Sequence, residues 1–262
     1  MRELERERPR HEELRKLALV GPGKVGRAIR RGASTAGVSL PLAGRTDLAA
    51  VCGDAEAVLL CVPDAAIEEV SDSVASVARQ LRLIGHTSGA TGLDALASAT
   101  GAGVGAFCVH PLQTIPDPAT DLRGAPAAVS GSDERSLRFA ERIALALGLR
   151  PFELPEASRA AYHAAASMAS NFLVTLEESA VEMLERTGVA DARELLAPLA
   201  LRTAANWSER GRDALTGPIA RGDEETVARH EAALAEVGPE LLEIYRALAE
   251  RTRELAARKT PA

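Results

Sequence analysis

Leu17-Ala18-Leu19-Val20-Gly21-Pro22-Gly23-Lys24-Val25-Gly26-Arg27-Ala28-Ile29 is the stretch on which the fold turns. A short apolar run predicts a strand, and it ends in Gly21. Glycines follow at 23 and 26, ahead of a helical pattern. This is G-x-G-x-x-G at a strand-to-helix turn, the spacing used to seat a dinucleotide pyrophosphate. The first glycine permits the tight turn, the second lets phosphate approach bare backbone, and the third lets the helix pack on the strand. Backbone N–H groups and the positive end of the helix dipole then face the phosphates. Gly21, Pro22, Gly23, Lys24, Val25 and Gly26 are therefore the first expected cofactor contacts. The plainer alternative is a glycine-rich turn that binds nothing.

The 262 residues are 46% hydrophobic and 26% charged with a formal net charge of −6, which suits one or two globular domains. Only 3% are aromatic, so Ala, Leu and Val must build the core. The negative balance argues against nonspecific nucleic-acid binding, and no basic run is interleaved with stacking aromatics. Cys52, Cys61 and Cys108 are scattered, without C-x-x-C spacing, and read as buried thiols in a reducing compartment. No His or Cys pair has ligand spacing, so no metal is expected. Met1 to Lys16 mixes Arg and Glu without an apolar centre, unlike a signal peptide, and is expected to be a flexible tail. The apolar stretch Ala160–Leu184 contains His163, Asn171, Glu177 and Glu178, which argues against a membrane span. A cytoplasmic location is the expectation.

Strand-like runs alternate with helical patterns up to about residue 154, predicting a parallel sheet with crossover helices. The expected strands are Leu17–Val20, Val38–Ala43 (interrupted by Pro41), Ala57–Val62, Leu81–Gly85, Gly105–Val109, Ala125–Ser130 and Pro151–Leu154. Asp64 and Asp133 are expected to cap the helices after the third and sixth strands. From Pro155 the strand pattern ceases. Glu156–Thr187 reads as one long helix, and Asp191-x-x-Glu194 has capping-box spacing. Pro198 should kink the helix that follows, Asp223 can cap another, and Pro239 can start the last. The fold class is α/β: a Rossmann-type domain over 17–154, then an all-helical domain over 155–262.

In an open parallel sheet, ligands sit beyond the carboxyl ends of the strands. An acidic residue about 20 positions past the glycines would hold the ribose 2′-OH of NAD, but Arg45 stands nineteen after Gly26, within Gly44-Arg45-Thr46. A guanidinium can clamp a 2′-phosphate, so NADP is preferred to NAD, although Asp47 keeps the ribose reading open. Val62 and Pro63 end the third strand on the nicotinamide side. His86 and Ser88 end the fourth and are expected near nicotinamide or substrate; His110 ends the fifth as a substrate contact. A satisfied structural role is the alternative for each His. His163, Ser167 and Asn171 recur every four residues, forming one polar stripe if the helix is continuous. Arg221, in Thr216-Gly217-Pro218-Ile219-Ala220-Arg221-Gly222-Asp223, can bind a carboxylate or phosphate, or simply belong to a capped turn.

With those motifs assembled, the chain resembles bacterial Rossmann-like proteins whose helical C-terminal half is a domain of unknown function. The resemblance covers nearly everything after the tail. It rests on Gly21-x-Gly23-x-x-Gly26, His86-Thr87-Ser88-Gly89, His110-Pro111-Leu112-Gln113-Thr114, Tyr162-His163 through Ser170-Asn171, and Thr216-Gly217-Pro218 with Arg221-Gly222-Asp223. Such proteins are similar to NADP-dependent reductases with a second domain like that of 6-phosphogluconate dehydrogenase, including ketopantoate and pyrroline-carboxylate reductases. The resemblance implies an interdomain substrate cleft and a homodimer through the helices. Hydroxyacid and ketopantoate reductases of that set use a helix lysine, with an asparagine further along. Here lysine occurs only at 16, 24 and 259, none on the second domain's first helix. His163 is the replacement expected on that helix, with Asn171 polarising a carbonyl or imine and Ser88 a second proton donor. The expected function is reduction of a small keto or imino compound. The alternative is a non-catalytic NADP(H)-binding sensor.

Overall fold

The central apolar runs become strands because the sheet is covered on both faces there, leaving no solvent side for alternation. The computed structural model describes residues 14–100 and 103–258. β1 (Leu17–Val20), β3 (Ala57–Leu60) and β4 (Leu83–His86) are buried at every position. β2 (Leu42–Ala43), β5 (Gly105–Pro111), β6 (Pro126–Gly131) and β7 (Arg150–Glu153) complete a sheet of order β2-β1-β3-β4-β5-β6-β7. Alternate strand residues divide between two cores. Leu17, Leu19, Leu59, Phe107 and Val129 pack under α1 (Lys24–Thr35) and α5 (Glu134–Ala146). Ala18, Val20, Val58, Leu60 and Ile84 pack under α2 (Leu48–Cys52), α3 (Ile67–Val77) and the turn before α4 (Ala97–Thr100).

The sheet departs from the expected all-parallel form at one join, since β6 runs antiparallel to β5. Parallel neighbours need a crossover, usually a helix, and none lies between Pro111 and Pro126. α5 then supplies one, and β7 returns parallel to β6. β2 is only two residues long. Pro41 has no N–H to donate and contributes just its carbonyl, which accepts from Leu19 N–H at 2.9 Å. Residues 1–13 of the expected tail lie outside the described residues. Leu14, however, is buried in the first core, and Lys16 pairs with Glu56, so the end of the expected tail packs against the sheet domain. Asp133 caps α5, accepting from Ser136 N–H at 2.7 Å. Asp64 makes no cap bond, because a 3-10 turn over Asp64–Ala66 leads into α3 instead.

The chain divides into two units, one through Ser167 and one from Met168. The expected long helix is broken at Ser170 (φ −125°, ψ −78°), giving α6 (Arg159–Ala169) and α7 (Asn171–Arg186). Uninterrupted helical spacing therefore does not extend from His163 and Ser167 to Asn171. The second unit continues with α8 (Ala192–Arg210), α9 (Pro218–Arg221), α10 (Glu224–Val237) and α11 (Pro239–Ala257). Leu234, Leu241 and Leu242 form its small core with Met183 and Tyr245 against them. Arg186 ties α7 to α11 through Glu240 at 2.8 Å. Asp223 caps α10 through Thr226 N–H, and Pro239 opens α11. Asp191 does not form the expected box: it is left-handed (φ 58°), and its carboxylate makes no cap bond. Among the described residues no helix is long and apolar enough to cross a membrane.

Phe107 and Phe139 meet edge to face with centroids 5.3 Å apart, and Gly85 leaves room for the Phe107 ring, which lies 2.5 Å from where a Cβ would be. Phe107→Ala is expected to cost about 3–5 kcal/mol. Urea denaturation should show this as a lower midpoint with an unchanged slope.

Candidate functional site

The strand-to-helix bend after β1 is shaped by missing side chains. Gly21 has φ +109°, and a Cβ there would lie 2.3 Å from the Cys61 carbonyl oxygen. A Cβ on Gly26 would lie 2.1 Å from the Gly21 oxygen. Both positions are closed to any larger residue because backbone meets backbone. Gly23 is the opposite case: a Cβ there would meet nothing within 4 Å. It is also the N-cap of α1 and offers no side chain to the first-turn N–H groups. The bare approach that a pyrophosphate needs is thus present over Gly23, so the bend fits a dinucleotide.

Beside it lies a cavity of about 240 Å³, lined by Val20 to Gly23, Gly44, Arg45 and Cys61 to Pro63. Leu48, Ala66 and Val70 supply an apolar wall that the motif reading did not include. β1 stands between β2 and β3, so the next two strands lie on opposite sides of it, and the cavity occupies that switch point beyond the strand ends. Arg45 is exposed and, among the described residues, makes no hydrogen bond or ion pair. Asp47 is engaged differently: its carboxylate accepts from Gly44 N–H at 2.7 Å. That bond commits the acid to shaping the loop and leaves Arg45 as the uncommitted charge. Lys24 and Thr46 are exposed close by in sequence, whereas Val25 packs against the first core.

A second cluster gathers at the ends of β4 and β5. His86 is fully buried; its Nδ1 accepts from Ser88 N–H at 3.2 Å, and its Nε2 lies 3.3 Å from the Gly92 carbonyl. Nδ1 as acceptor puts the imidazole proton on Nε2. Burial first, then the Arg159 charge, holds its pKa down at about 4. Ser88 Oγ accepts from Ala90 and Thr91 N–H at 3.1 and 2.9 Å. These two residues were expected to meet cofactor or substrate; their polar atoms also shape the turn at Gly89, and Ser88 Oγ, an acceptor in both of its bonds, keeps its own proton to donate. His110 is half-buried, with Nδ1 2.6 Å from the Tyr162 hydroxyl. Burial, then His163 and Arg159, lowers its pKa to about 4. His163 is half-buried on α6, and its Nδ1 is buried with no hydrogen-bond partner among the described residues.

Arg159, which the motif reading missed, binds this cluster together. It is 3% exposed and pairs with Glu156 while donating to Ser130 Oγ at 2.7 Å, the Ser88 carbonyl at 3.4 Å and Cys108 Sγ at 3.5 Å. Glu156 also accepts from Leu93 N–H at 3.1 Å and Ser130 Oγ at 2.8 Å. The available signal was Glu156-x-x-Arg159-x-x-Tyr162-His163, an i,i+3 and i,i+4 pattern on one helical face. Ser167 is half-buried at the end of the first unit. Asn171 and Arg221 are exposed on the second, Asn171 starting α7 and Arg221 ending α9.

Residues 25–111 match the model of a Rossmann-like domain, and residues 125–252 that of a domain of unknown function, DUF2520. The second match starts at β6 and takes in Glu156, Arg159, Tyr162 and His163, while His86, Gly89 and His110 fall in the first. The imidazole cluster therefore joins residues of both matched segments. A candidate NADP oxidoreductase from Bacteroides fragilis is similar in structure, with TM-score 0.76, 22% identity, and coverage of 91% of this chain and 97% of that one. A Thermotoga maritima protein follows, with TM-score 0.73, 24% identity and 92% and 98% coverage. The reductive aminase of Aspergillus terreus, solved with NADPH and ethyl-5-oxohexanoate, has TM-score 0.65 at 17% identity over 92% and 96% of the two chains. These likenesses establish the shared fold. No curated protein matches the chain in sequence.

His86 and His110 predict a pH dependence of stability. An unfolded imidazole takes up a proton as pH falls through about 6.5, whereas these two resist until about 4. The unfolded chain then binds more protons, so stability falls with pH across that window. Urea midpoints should drop between pH 7 and pH 5, and His86→Asn with His110→Asn should flatten the drop.

Proposed function

We propose that the chain is an NADP-dependent oxidoreductase that reduces a small keto or imino compound. The observation that carries this reading is the cavity over Gly23, with its apolar wall and the uncommitted Arg45. Gly21, Pro22, Gly23 and Gly26 present backbone to a pyrophosphate, and Lys24 stands at the same helix start. Arg45, with Gly44 and Thr46 beside it, takes the 2′-phosphate. Leu48, Ala66 and Val70 cover the adenine, and Val62 and Pro63 line the cofactor's path. The dinucleotide, when bound, supplies hydride. His163 gives a proton to the substrate oxygen or nitrogen. The NADPH-bound relative of the same fold supports the cofactor assignment.

The second unit is read as the dimerisation unit. Phe172 and Val174 on α7 are 60% and 62% exposed, and Leu199, Leu201 and Trp207 on α8 are 64%, 73% and 64% exposed. Apolar surface of this kind marks an interaction face, and a second copy of the chain is the occupant the resemblance implies. Light scattering should give a dimer mass that Leu201→Glu with Trp207→Glu converts to a monomer.

NADPH oxidation over a panel of small keto and imino compounds tests the activity. His163→Ala should abolish turnover while calorimetric NADPH affinity stays within twofold. Arg45→Ala should weaken NADPH by about 10- to 100-fold, the scale of a charged phosphate contact, and leave NADH nearly unchanged. Equal losses for both nucleotides would overturn the Arg45 assignment; no NADPH binding by the wild type would overturn the whole reading.

A further inference from the structure

Tyr162 lies beneath the proposed proton donor and is not explained by packing alone. Its hydroxyl is 2.6 Å from His110 Nδ1, and the two rings meet edge to face at 5.5 Å. Phe152 backs the phenol from the other side at 6.0 Å. Burial pushes the phenol up to about 12 and holds His110 down at about 4, so both are neutral at pH 7. A neutral phenol can donate to Nδ1 or accept from Nδ1–H, and donation by the phenol is the arrangement that puts the imidazole proton on Nε2. The groups acting electrostatically on His110 are His163, Arg159, Asp64 and His86.

Gly89 shows where Nε2 lies. A Cβ on Gly89 would be 2.8 Å from His110 Nε2 and 2.9 Å from His163 Nδ1. Two imidazole nitrogens from different elements thus converge on one face of a residue without a side chain. The His163 nitrogen is the buried one that has no hydrogen-bond partner among the described residues. Leaving such an atom unsatisfied is costly, and a ligand bridging the two nitrogens would relieve it.

We propose that Tyr162 is a positioning residue that fixes His110 as its Nε2–H tautomer, so that His110 Nε2–H and His163 Nδ1 together receive one oxygen of a small ketone or secondary alcohol beside Gly89. This rests on the oxidoreductase reading and names the group that its site recognises. The ketone oxygen accepts from His110 Nε2–H and from the Nδ1–H of protonated His163. As the carbonyl carbon takes hydride, the C=O π pair moves to oxygen. The Nδ1–H bond breaks, an O–H bond forms, and His163 is left neutral. The alcohol then donates to His163 Nδ1 and accepts from His110 Nε2–H, so every polar atom stays paired.

Long-range 1H–15N spectra of the full chain test this without turnover. The sequence has five histidines, and spectra of His110→Asn and His163→Asn assign the two signals. Wild-type His110 should show only the Nε2–H pattern at pH 7. In Tyr162→Phe, which keeps the ring, it should become a tautomer mixture or titrate at higher pH. Adding 2-propanol should move the His110 Nε2 and His163 Nδ1 signals along one saturating curve. Gly89→Ala, whose methyl would crowd both imidazoles, should weaken that response at least tenfold. A His110 that carries its proton on Nδ1, an unchanged tautomer in Tyr162→Phe, or 2-propanol moving only one signal or neither would overturn the proposal. Those results with NADPH turnover intact would remove the imidazole clamp alone. The expected spectra without any turnover would leave the clamp standing and remove the reductase reading.

Discussion

Two backbone segments can approach at the switch point only because side chains are missing there. Cys61 N–H donates to the Val20 carbonyl at 2.6 Å, and Gly21 presses its α-carbon against the next carbonyl along. Gly26 lets α1 lie directly on that bend. With either Cβ restored, the helix start and the end of β3 must separate, and the cavity beside them loses its walls. Gly23 is free of this packing constraint, since nothing among the described residues crowds it. The packing requires two of the glycines and leaves the third open.

The second organising contact is the buried guanidinium. Removing Arg159 from water is costly and is offset only when its donors are met. Glu156, Ser130 Oγ, the Ser88 carbonyl and Cys108 Sγ meet them. These partners come from the turn after β4, from β5 and β6, and from the 3-10 turn before α6. One residue therefore fixes the start of α6 to the ends of three strands. Tyr162 and His163 follow at i+3 and i+4 on the same helical face. Their approach to His110 and Gly89 is set by an ion pair one turn earlier.

The parts legible in the sequence were those governed by local chemistry. The glycine bend, the Asp133 and Asp223 caps and the helix start at Pro239 each depend on residues within one turn of each other. What escaped depends on tertiary partners. The reversal of β6 follows from a connection without a helix, which apolar periodicity does not register. The break at Ser170 falls among residues compatible with a continuous helix, so composition gave no warning. The bonds that His86 and Ser88 make within their own loop also depend on a turn that the sequence spacing does not specify. Arg159 was invisible because a lone Arg on a helix ordinarily faces solvent. Only the strand ends around it show why it does not.

The same guanidinium bears on the scarcity of lysine. Its positive charge adds to burial in holding His86 neutral, and to burial and His163 in holding His110 neutral. A neutral imidazole can accept a hydrogen bond at one nitrogen while donating from the other, whereas a protonated one only donates. A buried ammonium in the place of Arg159 would tend to shed its proton, and its three short donors could not span Glu156, Ser130 and the Ser88 carbonyl. Arginine keeps its charge when buried and carries its donors in a fixed fork. That permanent charge adds to burial in keeping His86 and His110 uncharged.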